Sequence, residues 1–163
     1  MSGAAPHAHP ATLDRDGIAQ RIPHAGSMCL LDALEAWDAE GLRCRATSHR
    51  DPANPLRSPQ GLLAPVAIEY AAQAMALHGA LTAAPGTPPR PGYLAAVRGV
   101  VLHQPRLDTV AGALVVQARR QAAAEQQALY TFTVADEAGR PLVEGRATVV
   151  LTTPLTPPPE ART

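Results

Sequence analysis

The stretch LLAPVAIEYAAQAMALHGALTAA, residues 62–84, decides the fold of this chain. Almost every side chain in it is apolar and most are small, which predicts a helix from about Leu63 to Ala83 that is buried on all sides. Three polar residues interrupt it: Glu69, Gln73 and His78. Glu69 and Gln73 are four residues apart and share one face, whereas His78 falls roughly on the opposite side.

Glu69 needs an explanation, because a carboxylate in an apolar helix is costly unless it is hydrogen-bonded or neutralised. A carboxyl group in such surroundings is suited to proton transfer near neutral pH. A structural role is the alternative, in which Glu69 pairs with an arginine, for instance at a subunit interface. The helix by itself leaves both interpretations open.

Strand patterns lie on both sides of this helix. Two precede it, from Met28 to Trp37 and from Leu42 to His49, and a short helix from Asp14 to Ile22, with Asp14 as N-cap, comes before them. Four follow it: Tyr93 to Gln104, Ala113 to Arg119, a segment around Tyr130 to Val134, and Leu142 to Leu151. Because strands flank a single helix, the order predicts an α+β domain and not repeated βαβ units.

The length of 163 residues is enough for one domain with a sizeable core. We expect that domain at residues 13–153, between an Ala-, Pro- and His-rich tail (1–12) and a Pro-rich tail (154–163), both disordered. The N-terminus has no signal-peptide core and no run is long enough for a membrane span, so a bacterial-type cytoplasm is the expected location and no membrane contact is predicted.

Composition excludes several classes of function. The net charge is zero and aromatic residues make up only 3%, which argues against a nucleic-acid partner. All 14 basic residues are arginine, which excludes Schiff-base lysine chemistry and a P-loop lysine. His7 and His9 are weak grounds for a metal site, and none is predicted. Cys29 and Cys44 lie in apolar runs and are expected to be buried thiols.

Three segments resemble the 3-hydroxyacyl-[acyl-carrier-protein] dehydratases. IPHAGSMCLLDAL (22–34) is similar to their opening segment, L-P-H-R followed by an apolar strand and Asp. VAIEYAAQAMALHGAL (66–81) is similar to their central helix, with Glu69 and Gln73 at the matching positions. GYLAAVRGVVLHQPRLDTVAGALVVQ (92–117) is similar to their G-Y-x-A segment and the strand after it. The I-E-Y and A-Q-A elements of the helix most resemble the dehydratase-like proteins of aryl polyene pigment biosynthesis.

The resemblance covers about residues 14–151 and implies a single hotdog domain, a long central helix wrapped by a curved antiparallel sheet, usually paired into dimers. It also implies the reaction: a 3-hydroxyacyl chain, carried on the phosphopantetheine of an acyl carrier protein, becomes a trans-2-enoyl chain plus water. No cofactor beyond that carrier arm is implied. Glu69 would be the acid/base residue and His24, which matches the opening-motif histidine, a second catalytic candidate. Substrate binding would fall to Gln73, Ala64 and Tyr70.

One departure from the family pattern matters. The usual catalytic histidine position holds Pro55, and Leu63-Ala64 replace the Pro-Gly that precedes the helix. The backbone donors that would polarise the thioester carbonyl at the helix N-terminus are therefore not assured. His49 and His103 are weaker catalytic candidates by position alone.

Three functions remain open at this point. The chain is a dehydratase, or a half-catalytic or non-catalytic hotdog subunit that partners a second dehydratase, or a hotdog acyl thioesterase using Glu69 to activate water. A homodimer or a heterodimer with another hotdog subunit is expected, with acyl carrier protein as the substrate-bearing partner.

Overall fold

The computed structural model of the chain describes residues 10–84, 86 and 92–151. Two α-helices lie in this part of the chain, α1 (Arg15–Ala19) and α2 (Ala67–Thr82). The strands are β1 (Leu13–Asp14), β2 (Ala33–Trp37), β3 (Gly41–Ala46), β4 (Gly92–Leu102), β5 (Leu114–Ala123), β6 (Gln127–Ala135) and β7 (Pro141–Leu151). They form one antiparallel sheet in the order β1-β2-β3-β5-β6-β7-β4, as the predicted α+β class requires.

The helix α2 packs against the inner face of β3, β5 and β6. Alternation along these strands explains the contact, because every second residue, such as Tyr130, Phe132 and Val134 on β6, is buried under the helix. The sequence pattern predicted a helix that is buried on all sides, and this prediction is wrong for one side of α2. Glu69, Ala72 and Ala76 on one side are only partly covered, because α2 packs on β3, β5 and β6 with its other side.

Several predicted boundaries shift for identifiable reasons. α2 begins at Ala67 and not near Leu63, because Pro65 lacks an N–H group and the chain first forms a 3-10 turn over Ala64–Val66. The predicted strand Met28 to Trp37 is shorter: a 3-10 turn occupies Gly26–Met28, and β2 begins only at Ala33.

The short N-terminal helix is confirmed, although it ends at Ala19. Its predicted N-cap is also confirmed, since the Asp14 carboxylate accepts a hydrogen bond from the Gly17 amide at 2.9 Å. The predicted strand Leu42 to His49 ends at Ala46, and a 3-10 turn over Ser48–Arg50 follows it.

The strand β4 forms one edge of the sheet, with β7 as its single neighbour among the described strands. Four large apolar side chains on it are exposed: Tyr93, Leu94, Val101 and Leu102. An edge strand of this length with uncovered apolar residues is suited to pair with another chain.

Both cysteines are buried free thiols, as predicted. Burial raises the pKa of both, that of Cys44 to about 12. The predicted tails lie outside the described residues except for 10–12, where the Pro10 carbonyl accepts a hydrogen bond from the Trp37 indole at 3.0 Å. In the described part of the chain, no helix is both long and apolar enough to cross a membrane.

Candidate functional site

The two predicted catalytic residues, Glu69 and His24, are in contact. Glu69 lies in the first turn of α2, where the positive end of the helix dipole favours a carboxylate. His24 comes from the loop between α1 and the first 3-10 turn. Its Nε2 atom is 3.0 Å from Glu69 Oε1, and the two side chains are 25% and 34% exposed. A carboxylate and an imidazole are therefore paired at the open side of the helix, within reach of solvent.

Gln73 clamps the loop that follows His24 onto the helix. Its side chain is fully buried, its Nε2 donates to the Met28 carbonyl at 2.7 Å, and its Oε1 accepts from the Leu30 amide at 2.9 Å. The same Nε2 also donates to Glu69 Oε1 at 3.2 Å. The predicted substrate-binding residue thus has its whole amide engaged with the protein.

The two oxygens of the Glu69 carboxylate have different surroundings. Oε1 faces both His24 and Gln73. Oε2 has no hydrogen-bond partner among the described residues, and it belongs to a partly exposed side chain. A carboxylate that is oriented through one oxygen and open at the other can exchange a proton with a bound molecule.

The second ring nitrogen of His24 is also unusual. Nδ1 is buried and has no hydrogen-bond partner in the described structure. Buried polar atoms are normally satisfied, and an exception in a native protein often marks a functional position. With its Nε2 proton directed to Glu69, a neutral His24 has Nδ1 as an acceptor with a free lone pair.

Tyr70, the second predicted substrate-binding residue, is a structural anchor in this chain. Its hydroxyl is 2.8 Å from Ser48 Oγ and accepts from Asn54 Nδ2 at 3.3 Å, and Ser48 in turn donates to the Leu30 carbonyl at 2.7 Å. Burial raises the pKa of the Tyr70 phenol. The network fixes the Pro-rich loop at the helix, next to Pro55. The sequence analysis did not identify Ser48 and Asn54, because no motif or periodicity in the sequence around them indicates a contact with Tyr70.

The third predicted substrate-binding residue, Ala64, is fully buried in the turn before α2. Its amide donates to the Pro105 carbonyl at 2.9 Å, the Val66 amide donates to Leu63, and the Ala67 amide donates to Ala64. Pro65 has no donor. The backbone donors of this turn are therefore already used, and the binding role of Ala64 stays a prediction.

Asp108 holds the base of this turn. It accepts from the Leu62 amide at 3.0 Å and from Arg106 Nε at 3.0 Å, and it lies 3.4 Å from an Arg57 nitrogen. The hydrogen bond from Arg106 is the main cause that lowers the pKa of Asp108 to about 2. This ion cluster anchors the entry to α2 to the segment after β4.

His49 is buried away from the paired residues. Its Nε2 lies 3.1 Å from the Val110 carbonyl, its Nδ1 has no partner in the described structure, and burial lowers its pKa. None of the ion pairs or hydrogen bonds of the described residues joins it to Glu69. Within the described chain, His49 is therefore not part of the Glu69 site, and its catalytic role stays a prediction.

Neither His78 nor His103 contacts Glu69 within the described residues. His78 is buried, with Nδ1 2.9 Å from the Tyr130 hydroxyl and Nε2 3.0 Å from the Asp38 carbonyl, and burial lowers its pKa. His103 lies just beyond β4, is partly exposed and stands 3.7 Å from Glu144. Within the described residues no group of His, Cys, Asp and Glu is placed to hold a metal ion, and His7 and His9 lie outside them.

Two shallow depressions of about 250 and 210 Å³ lie on the outer face of the described sheet around Arg43 and Gln117. Neither is lined by His24 or Glu69. An acyl chain bound at Glu69 would thus need further walls, because ligand sites normally enclose most of the ligand surface.

The chain is similar to known dehydratases and thioesterases. A model of the ApeP-like family, described as ApeP dehydratase, matches residues 17–156. The solved dehydratase heterocomplex ApeI:P from Xenorhabdus doucetiae is similar, with a TM-score of 0.71 and 23% identity over 87% of this chain and 93% of that chain.

Two thioesterases are similar at lower identity. One from Haemophilus influenzae has a TM-score of 0.61 and 12% identity, covering 88% of this chain and 94% of its own. One from Pseudomonas aeruginosa, a mutant form, has a TM-score of 0.55 and 16% identity, covering 73% and 79%. These likenesses confirm the predicted hotdog fold. No curated protein matches the sequence significantly.

Proposed function

Because this chain belongs to the ApeP-like dehydratase family, we propose that it is a 3-hydroxyacyl-[acyl-carrier-protein] dehydratase subunit of an aryl polyene or fatty-acid-like pathway. The observation that carries the proposal is the Glu69 carboxylate, oriented by His24 and Gln73 through Oε1 and open at Oε2. The carrier protein delivers the substrate on its phosphopantetheine arm, which places the activity in the cytoplasm.

Dehydration requires two proton transfers. One group takes the proton from C2 of the acyl chain, another delivers a proton to the C3 hydroxyl, and water leaves as the C2–C3 double bond forms. We assign one of these transfers to Glu69 Oε2. His24 is a positioning residue in this proposal, because its Nε2 faces the carboxylate and not the open side.

A partner subunit supplies the second transfer. Pro55 stands at the usual histidine position, and neither His49 nor His78 contacts Glu69 among the described residues. The similar ApeI:P structure is a heterocomplex. The open edge of β4 and the uncovered side of α2 offer the surface for such a partner, and the partner would supply the missing walls of the acyl site.

The test is mass spectrometry of a 3-hydroxyacyl carrier protein incubated with this chain, alone and with a second hotdog dehydratase subunit. We expect loss of one water from the acyl chain with both subunits, little with this chain alone, and none when Glu69→Gln replaces the wild type in the pair. Full turnover by this chain alone would reject the partner requirement, and full turnover by the Glu69→Gln pair would remove Glu69 from the reaction.

A thioesterase is the second candidate function. A carboxylate with one free oxygen on a hotdog helix can act as general base for water, and several similar folds are thioesterases. The same mass spectra separate the two reactions, because hydrolysis returns the carrier protein with a free phosphopantetheine thiol, whereas dehydration keeps the acyl chain attached.

A further inference from the structure

Two arginines face each other on the outer surface of the sheet edge. Arg98 in β4 and Arg146 in β7 are direct cross-strand partners, and both are exposed. The neighbouring residues Val97 and Ala147 face the inner side of the sheet. Because successive side chains of a strand point to opposite faces, Arg98 and Arg146 lie on the surface away from α2. Like charges directly opposite each other on a sheet destabilise the pairing, so this arrangement has a cost in the single chain.

Neither guanidinium is neutralised within the described residues. The nearest carboxylate on the same face of β7 is Glu144, which lies 3.7 Å from His103 and forms no ion pair with Arg98 or Arg146 within the described residues. The other arginines of the outer face differ, since Arg43 and Arg119 bind Glu35 and Glu40 at 2.8 Å. On the outer face of the described sheet, the arginines without a carboxylate partner are therefore those at the β4 edge.

The Arg146 side chain reaches from β7 across the backbone of β4. Gly99 has a φ of +59° within an irregularity of the β4–β7 register, a conformation that favours glycine. The Arg146 guanidinium lies over this glycine, with nitrogens 3.6 and 3.8 Å from the position of a Cβ atom there. Arg146 therefore extends toward the edge beside Arg98.

Symmetric pairing of two copies along β4 would concentrate this charge. Arg98 is next to Val97, the central residue of Gly92–Leu102. In an antiparallel pairing about the strand centre, both Arg98 side chains lie on one outer face a few residues apart, each with Arg146 behind it. Four guanidinium groups, none of them paired with a carboxylate within the described residues, would then share a small area, and such like-charge contacts at an interface oppose association.

We propose that the Arg98–Arg146 pair selects a different subunit over a second copy of this chain at the β4 edge. The partner is a second hotdog subunit whose own edge strand presents carboxylates on its outer face, so that the exposed apolar residues of β4 are covered and the arginines are neutralised. This inference rests on the proposed function, which requires a partner subunit, and it names the chemistry of that partner.

The experiment measures self-association of the purified full chain by sedimentation equilibrium at about 0.05 M and about 0.5 M salt, which differ strongly in charge screening. We expect wild type to associate weakly at low salt and more tightly at high salt. Arg98→Glu should self-associate at least about tenfold more tightly than wild type at low salt, with the reversed salt dependence, because the cluster then holds two carboxylates and two guanidinium groups instead of four guanidinium groups. Arg98→Gln should be intermediate.

Arg119→Glu is the matched control. It changes the net charge equally and lies on the same outer face, but on the interior strand β5, so it should leave self-association unchanged. A wild-type chain that forms a tight, salt-insensitive dimer would overturn the proposal, and so would an Arg98→Glu variant that folds normally by circular dichroism and associates no better. The readout involves no catalysis, so failure of the dehydratase assay and failure of partner selection remain separate results.

Discussion

Replacing Gln73 by Met tests whether the loop that carries His24 is held by one buried amide. Methionine has a similar volume, so it fills the same space without the two polar atoms. The change removes the hydrogen bonds to Met28, Leu30 and Glu69 together. The fold itself should survive, since no apolar contact of the helix is lost.

The expected magnitude follows from the groups left behind. The Leu30 amide belongs to a fully buried residue, and an unsatisfied buried donor costs about 1–3 kcal/mol. The Met28 carbonyl is partly buried and adds about 1 kcal/mol at most. We therefore expect the free energy of unfolding to fall by about 1–4 kcal/mol, which lowers Tm by about 2–16 °C in a domain of this size.

The assay is equilibrium unfolding in urea followed by circular dichroism. Gln117→Met is the control, because Gln117 is exposed on the outer face of β5 and its replacement should cost no more than about 0.5 kcal/mol. A loss below about 1 kcal/mol for Gln73→Met would refute the reasoning, since it would show that Leu30 and Met28 find other partners and that the amide does not clamp the loop.

Three further outcomes are expected. Glu69→Gln should reduce turnover by the paired subunits about 10²-fold or more. The free energy of unfolding should change by less than about 1 kcal/mol, because Glu69 is partly exposed and pairs with no arginine in the described structure. A destabilised variant with full specific activity would exclude Glu69 from the reaction. Burial lowers the pKa of His49 and His78 below the ordinary 6.5, so below that pH the unfolded chain binds more protons than the folded chain. The free energy of unfolding should therefore fall as the pH decreases from 7 to 5, by at most about 1.4 kcal/mol per pH unit for each histidine. The fall should be less steep in His78→Gln. Cys29 and Cys44 should resist iodoacetamide in the native protein and react in urea, as mass spectrometry would show; rapid native alkylation would contradict their burial.

The sequence alone determined the fold class and half of the candidate site. A long apolar run bounded by prolines and flanked by alternating segments has few arrangements that bury it, and an antiparallel sheet wrapped over one helix is among them. Glu69 and Gln73 share a helix face whatever the surroundings, because helical geometry is local. Those inferences needed only the order of the segments along the chain and the periodicity of their apolar residues.

The tertiary structure decided the rest, because it depends on contacts between segments far apart in the chain. The contact of His24 with Glu69 follows from the path of a loop that Gln73 fixes through Met28 and Leu30, and no local pattern specifies that path. The same holds for the pairing of Arg98 with Arg146, which depends on the register of β4 against β7. The open side of α2 is likewise a tertiary property: the periodicity of the helix marks apolar surface, but whether a strand of this chain covers that surface depends on where the sheet ends.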